Sequence, residues 1–197
     1  MVRVLETAVP RRSAYPLPAA TDADSAAFGV ARYRLAPNDT FSLELSSRDP
    51  GGLVPTMTLL KRLDREVQSH YELVVTAVDG GRPALSGTLS VSVVVVDAND
   101  NPPSFDRRVY NVSVLETVGP SQPLVRVHAA DPDDGLNGAL RYELSAASRK
   151  QHAGLFSVNN VTGDVRLARR LGADYSDLYQ LTVVAFDQAH SRSLTQQ

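Results

Sequence analysis

The chain has 197 residues, 20 basic and 22 acidic, with a formal net charge of −2 and no cysteine. Near-balanced charge without a basic run excludes an electrostatic nucleic-acid face, and the lack of cysteine excludes thiolate metal sites and cysteine nucleophiles. No stretch approaches the roughly 20 apolar residues of a membrane helix, and MVRVLETAVP lacks the apolar core of a signal peptide, so the chain is expected to be an internal piece of something longer, with Met1 added. A hydrophobic content of 43% suffices for packed cores, and the length suits one large domain or two small ones.

In chain order, residues 2–5 are predicted as a short strand ending at Glu6. A Pro- and Ala-rich loop runs through Pro10, Pro16 and Pro18 to the acids Asp22 and Asp24. Alternation at 31–35 and at 41–45 (FSLEL) predicts half-buried strands. DPGG at 49–52 reads as a turn. A strand at 57–60 leads to LDRE at 63–66. YELVVTAV (71–78) ends at Asp79, Gly80 and Gly81 turn the chain, and TLSVSVVVV (88–96) follows. Short strands with turn signals at this spacing predict an all-β sandwich of about seven strands. No segment shows a helical period of useful length.

At mid-chain stands DANDNPP (97–103). Its two Asp, two Asn and two Pro are unlike a flexible Gly/Ser linker. The oxygens are hard ligands of the kind Ca²⁺ gathers in sets of about six to eight, and the prolines stiffen the exit. Alone, the string would read as a turn with solvated acids.

The second half repeats the order of the first. VYNVSVL (109–115) ends at Glu116 as 2–5 ends at Glu6. A strand at 124–129 leads to Asp131 and Asp133, matching Asp22 and Asp24. LRYEL (140–144) answers ARYRL (31–35), residues 156–158 answer 41–43, and YQLTVVAF (179–186), ending at Asp187, answers 71–78, ending at Asp79. The matched landmarks stay about 110 residues apart, which suits a duplicated sandwich domain. The chain is therefore read as two units, 1–101 and 102–197, joined through 97–103.

Because successive strand ends lie at opposite poles of a sandwich, Glu6, Asp64 and Glu66 are expected at the junction pole of the first unit. Asp131, Asp133 and Asp187 are expected at the facing pole of the second. The junction adds Asp97, Asp100 and the amide oxygen of Asn99, and main-chain carbonyls of Ala98, Asn101 and Asn137 would complete the shells. So many carboxylates in a small volume repel one another unless cations balance them. Ca²⁺ suits the set better than Mg²⁺, which demands tight octahedral geometry and keeps its waters.

Glu6, LDRE at 63–66, AVDGG at 77–81, DANDNPP at 97–103, DPDDGLNG at 131–138 and AFD at 185–187 resemble the calcium motifs of the cadherin superfamily. The resemblance covers essentially the whole chain, as two consecutive extracellular cadherin repeats. It implies two tandem seven-stranded Greek-key (immunoglobulin-like) β-sandwiches joined end to end by three Ca²⁺ at the linker. There is no Trp to anchor a swapped N-terminal strand, and the chain is more similar to protocadherins, or to the Dachsous and Fat types. The implied function is calcium-dependent cell-cell recognition on the extracellular side of the plasma membrane, by a single-pass protein whose signal and transmembrane segments lie outside this fragment. The implied partner is another cadherin-type ectodomain, homophilic or heterophilic and antiparallel in trans, with no nucleic acid and no direct membrane contact.

The second unit departs from the pattern, with LGAD at 171–174 in place of LDRE. Glu116 and Asp174 would form at most half of a further site. Asp22, Asp24 and Asp79 would form the complementary half of another, and both outer half-sites are expected to be empty or poorly occupied. Asn38, Asn111 and Asn160 each begin an N-x-[ST] sequon and are candidate N-glycosylation sites. An enzyme is disfavoured. His70, His128, His152 and His190 show no zinc-ligand spacing, there is no G-x-S-x-G elbow, and the carboxylate pairs recur in both halves where catalysis needs one convergent site. A purely structural spacer, holding a distal binding domain away from a membrane, stands as the alternative to adhesion.

Overall fold

The computed structural model describes residues 1–24, 29–48, 52–120, 122–172 and 175–189. Asp49, Pro50 and Gly51 of the turn expected at 49–52, the acid Asp174 and His190 lie outside the described residues. The chain divides into two compact units, Met1–Ala98 and Asn99–Gln197, with the boundary inside DANDNPP.

In the first unit, β1 (Val2–Leu5), β7 (Ser86–Val96), β6 (His70–Asp79) and β3 (Val30–Leu35) form one sheet in that order. The other sheet has the order β2 (Ala14–Pro16), β5 (Gly52–Leu59), β4 (Phe41–Arg48). Pairing is antiparallel except between β1 and β7, which run parallel with Val4 opposite Val95. The period-two pattern explains the sheet faces. Along β7, Val91, Val93 and Val95 are buried and the residues between them are half-buried. They join Val4, Phe41, Met57, Leu59, Leu73 and Val75 in one core. Tyr71 sets its ring edge-on to Phe41, with centroids 5.3 Å apart.

The second unit has shorter ladders. β8 (Ser104–Phe105) pairs with β10 (Ala129–Ala130), and β11 (Leu140–Leu144) pairs with β14 (Val183–Asp187). β13 (Asp164–Leu167) lies between β12 (Phe156–Val158) and β9 (Pro123–Arg126). Its connected core is smaller, built on Val127, Ala129, Tyr142 and Val165.

Several expectations are corrected. Residues 109–115 are not a strand. In the first unit the equivalent β1 gains its ladder from β7, and no counterpart of β7 occurs among the described residues of the second. The strand expected at 179–186 begins only at Val183, and the one expected at 124–129 is split into β9 and β10. The loop predicted through Pro16 contains β2, and β13 was not foreseen. A short helix, α1 (Ala146–Gln151), also occurs. It starts at Ser145, whose side chain accepts from Ser148 N, and it ends with Arg149 and Lys150, placed where basic groups suit the helix dipole. Six residues are too few to reveal a 3.6-residue period.

The duplication holds at atomic level. Ala20 N donates to the Tyr33 hydroxyl at 2.8 Å, and Ala129 N donates to the Tyr142 hydroxyl at 3.0 Å. The matched tyrosines are core residues, and each also anchors the backbone two residues before an acidic pair. Among the described residues, no helix is long and apolar enough to cross a membrane.

Candidate metal-binding residues

Within the first unit, Glu6 follows β1 and its N–H donates to Val96 O at 3.1 Å, continuing the ladder with β7. That ladder carries its side chain inward, to 5% exposure. Oε1 accepts from Ala98 N at 2.6 Å and Oε2 from Arg65 N at 3.1 Å. One buried carboxylate thus ties the end of the first strand to the LDRE loop and to the junction. Asp64 is exposed and organises that loop, accepting from Val67 N at 3.0 Å through Oδ1 and from Gln68 N at 2.9 Å through its carbonyl. Arg65 balances charge, as expected for a cation between two acids: Nε donates to Asp97 Oδ1 at 2.6 Å, and Nη2 pairs with Glu66. The Asp97 side chain is only 8% exposed. Glu6, Glu66 and Asp97 are therefore all brought to the end of this unit where β7 leaves it.

Within the second unit, Asn99 adopts a φ of 53°, a left-handed conformation that asparagine tolerates better than most residues. Asn101 Nδ2 donates to Asp100 Oδ1 at 3.0 Å and to Asp133 Oδ1 at 2.9 Å, and Asn101 N reaches Asp133 Oδ2 at 3.3 Å. Asp133 is buried, and its N–H donates to Asp131 Oδ1 at 3.1 Å. Asp131 Oδ2 is buried and has no hydrogen-bond partner.

Gly138 closes the loop that carries these acids. A Cβ there would lie 2.1 Å from Asp133 O and 3.3 Å from Asp131 O, so only glycine permits the approach. Asn137 N donates to Asp134 O at 3.1 Å within the same loop. Asp187 ends β14 opposite Leu140, and the next residue, Gln188, donates to Ala139 O at 2.9 Å. The β11–β14 ladder thereby sets Asp187 beside the loop.

These donors fit a hard cation. They are oxygens, mostly carboxylates, and Asp131 Oδ2 is an acceptor withdrawn from water without a donor, a state that is costly unless a cation or donor meets it.

The outer acids are placed differently. Asp24 N donates to Asp22 Oδ1 at 2.9 Å, the same turn that joins Asp133 to Asp131. Asp79 Oδ1 accepts from Gly81 N and Leu85 N at 3.1 and 2.8 Å. All three acids line a cleft of about 400 Å³ in the first unit. Glu116 accepts from the Tyr175 hydroxyl at 2.8 Å, and that hydrogen bond, with the carboxylate's negative charge, raises the tyrosine's pKa. Sequence reading missed Tyr175. It also missed the cluster of Arg126, Asp164 and Arg166, in which Asp164 accepts from Arg126 Nε at 2.7 Å and from Arg166 Nη2 at 3.2 Å. Arg166 lies two positions from Asp164 on β13, but Arg126 is distant in sequence and is brought opposite the acid only by the β9–β13 register.

The cadherin domain profile matches residues 3–96 and 110–197. The chain belongs to the cadherin family. Its curated relatives include human protocadherin gamma-A8, 39% identical over 186 residues, covering 94% of this chain and 20% of the relative. They also include human protocadherin gamma-C4, 40% identical over 180 residues, covering 91% of this chain and 19% of the relative. The chain thus spans about a fifth of their length. Among solved structures, mouse clustered PcdhgC3 EC1-3 superposes with a TM-score of 0.85 at 33% identity, covering 95% of this chain and 59% of that one. The protocadherin GammaB4 extracellular domain does so with a TM-score of 0.82 at 34% identity, covering 95% and 28%. Membership sets the chain among the non-enzymatic cadherin repeats, which are tandem immunoglobulin-like β-sandwiches, and cadherin repeats in general bind calcium.

Proposed function

We propose that this chain is part of a calcium-dependent recognition ectodomain whose two repeats are stiffened by about three Ca²⁺ ions, a count taken from the family resemblance. Glu6, Asp64, Glu66 and Asp97 of the first unit, with the carbonyl of Ala98, contribute to the shells. Asn99, Asp100, Asn101, Asp131, Asp133, Asn137 and Asp187 contribute from the second. The observation that carries the reading is the buried, unpartnered Asp131 Oδ2 beside a loop that only glycine can close. The ions would neutralise acids that otherwise repel one another across the linker.

The outer acids Asp22, Asp24, Asp79 and Glu116 would serve half-sites completed by neighbouring repeats, with Asp174 as a further candidate. The partner would be a second cadherin-type ectodomain, met antiparallel in trans from the extracellular side of the plasma membrane. The protocadherin GammaB4 structure is of an extracellular domain, which supports the extracellular placement.

Small-angle scattering in millimolar Ca²⁺ and then in excess chelator tests the stiffening. A narrow distance distribution that broadens on chelation is expected, and an unchanged distribution would refute it. Sedimentation with Ca²⁺ bears on the spacer alternative, because a homodimer requires a contact surface and favours recognition, whereas a strict monomer leaves a spacer or a heterophilic partner.

A further inference from the structure

The fold treats two of the three sequons in opposite ways. Asn38-Asp39-Thr40 is consumed by the chain. Asn38 Oδ1 accepts from Thr40 N at 3.1 Å and from Phe41 N at 2.6 Å, while its Nδ2 donates to Ala36 O at 3.1 Å. Asp39 pairs with Lys61, and the Thr40 hydroxyl donates to Asp39 Oδ1 at 3.0 Å. Thr40 itself is buried. The three bonds made by Asn38 form the turn that starts β4, a role in which Asn side chains stand in for the backbone. A sugar on Nδ2 would have to be fitted against that turn.

Asn160-Val161-Thr162 lies in the hairpin between β12 and β13, and here the turn is built by the neighbouring residue. Asn159 Oδ1 accepts from Val161 N at 2.9 Å and Thr162 N at 3.0 Å, and Gly163 N donates to Asn159 O at 3.0 Å. Gly163 adopts a φ of 72° and packs where a Cβ would lie 2.3 Å from Val127 O, so the hairpin requires glycine there. Asn160 enters this scheme only through its carbonyl, which accepts from Tyr142 N at 3.0 Å. Its side chain is exposed and makes no hydrogen bond among the described residues, and Val161 beside it is exposed as well. The third sequon, at Asn111, is exposed and sits among the exposed apolar residues Val109, Val112, Val114 and Leu115.

We infer that Asn160 carries an N-linked glycan and that Asn38 does not. The inference rests on the extracellular reading of the chain. In the transfer, Nδ2 bonds to C1 of an oligosaccharide carried on a lipid pyrophosphate. The C1–O bond breaks, the lipid pyrophosphate leaves as the anion, and the amide proton passes to a base of the transferring enzyme. The nascent chain is extended at that stage, so the fold decides which product it can accommodate. At Asn160 the sugar projects from the β12–β13 hairpin and displaces no bond.

The test is to secrete the chain from an animal cell line and remove glycans with an amide-cleaving glycosidase in heavy-oxygen water, reading the Asn-to-Asp conversion by mass spectrometry. Label is expected at Asn160 and not at Asn38, and Asn160→Gln should lose it while the chain is still secreted. An unlabelled Asn160 in the secreted chain, or label at Asn38, overturns the inference. Calcium titration of the same sample reports on the proposed function separately, so the two readings fail independently.

Discussion

Asp131 carries one oxygen that accepts from Asp133 N and one that is buried without a donor. If that second oxygen meets a cation, Asp131→Asn should weaken calcium binding by about tenfold or more, in the range seen when residues ordering a metal site are altered. In chelator the same variant should be no less stable than the parent, because it removes a charge whose buried, donorless oxygen is costly without a cation. Calorimetric titration and thermal unfolding in chelator check the two halves of the expectation. Gly138 makes a different demand. Gly138→Ala places a methyl 2.1 Å from Asp133 O, and moving that backbone should cost about 1–3 kcal/mol of stability, read as a lowered unfolding midpoint. The identities of these residues were legible as a motif. Their separate roles, one an orphaned oxygen and the other a close approach, depend on distances that a linear string does not carry.

At the scale of elements, β9 and β13 are fastened by Asp164, which faces Arg126 across the ladder. The Arg126 guanidinium, with further help from Thr162 and Arg166, lowers the Asp164 pKa from 3.8 to about 2. A carboxylate with a depressed folded-state pKa stabilises the fold above its unfolded value, and that contribution is lost as pH falls through the folded one. Unfolding midpoints should therefore decline between about pH 4 and pH 2, and Asp164→Asn should flatten that part of the profile. Thermal melts across the interval measure it.

Elements were read well where alternation was long, as along β7, and poorly where the ladder partner decided the outcome. Residues 109–115 have the pattern of β1, yet a pattern makes a strand only when a neighbour accepts its hydrogen bonds. The six-residue α1 is held by its cap and by Ser148 Oγ, which accepts from Thr182 N at 2.8 Å. No periodicity announces such a helix.

For the whole molecule, duplication was the most legible property, because it repeats chemistry as well as hydrophobicity. Tyr33 and Tyr142 accept the same bond from a residue thirteen positions earlier, and both acidic pairs fold into the same turn. The unequal cores were not legible, since both halves contain similar apolar strings while only the first connects twelve buried residues into one cluster. Calcium linkage between the repeats is the claim on which the proposed function stands. Its most direct test is a calorimetric titration of the intact chain with Ca²⁺ and, separately, Mg²⁺. Saturable Ca²⁺ binding approaching about three ions per chain, not reproduced by Mg²⁺, is expected; an absence of saturable Ca²⁺ binding, or an equal response to Mg²⁺, would contradict it.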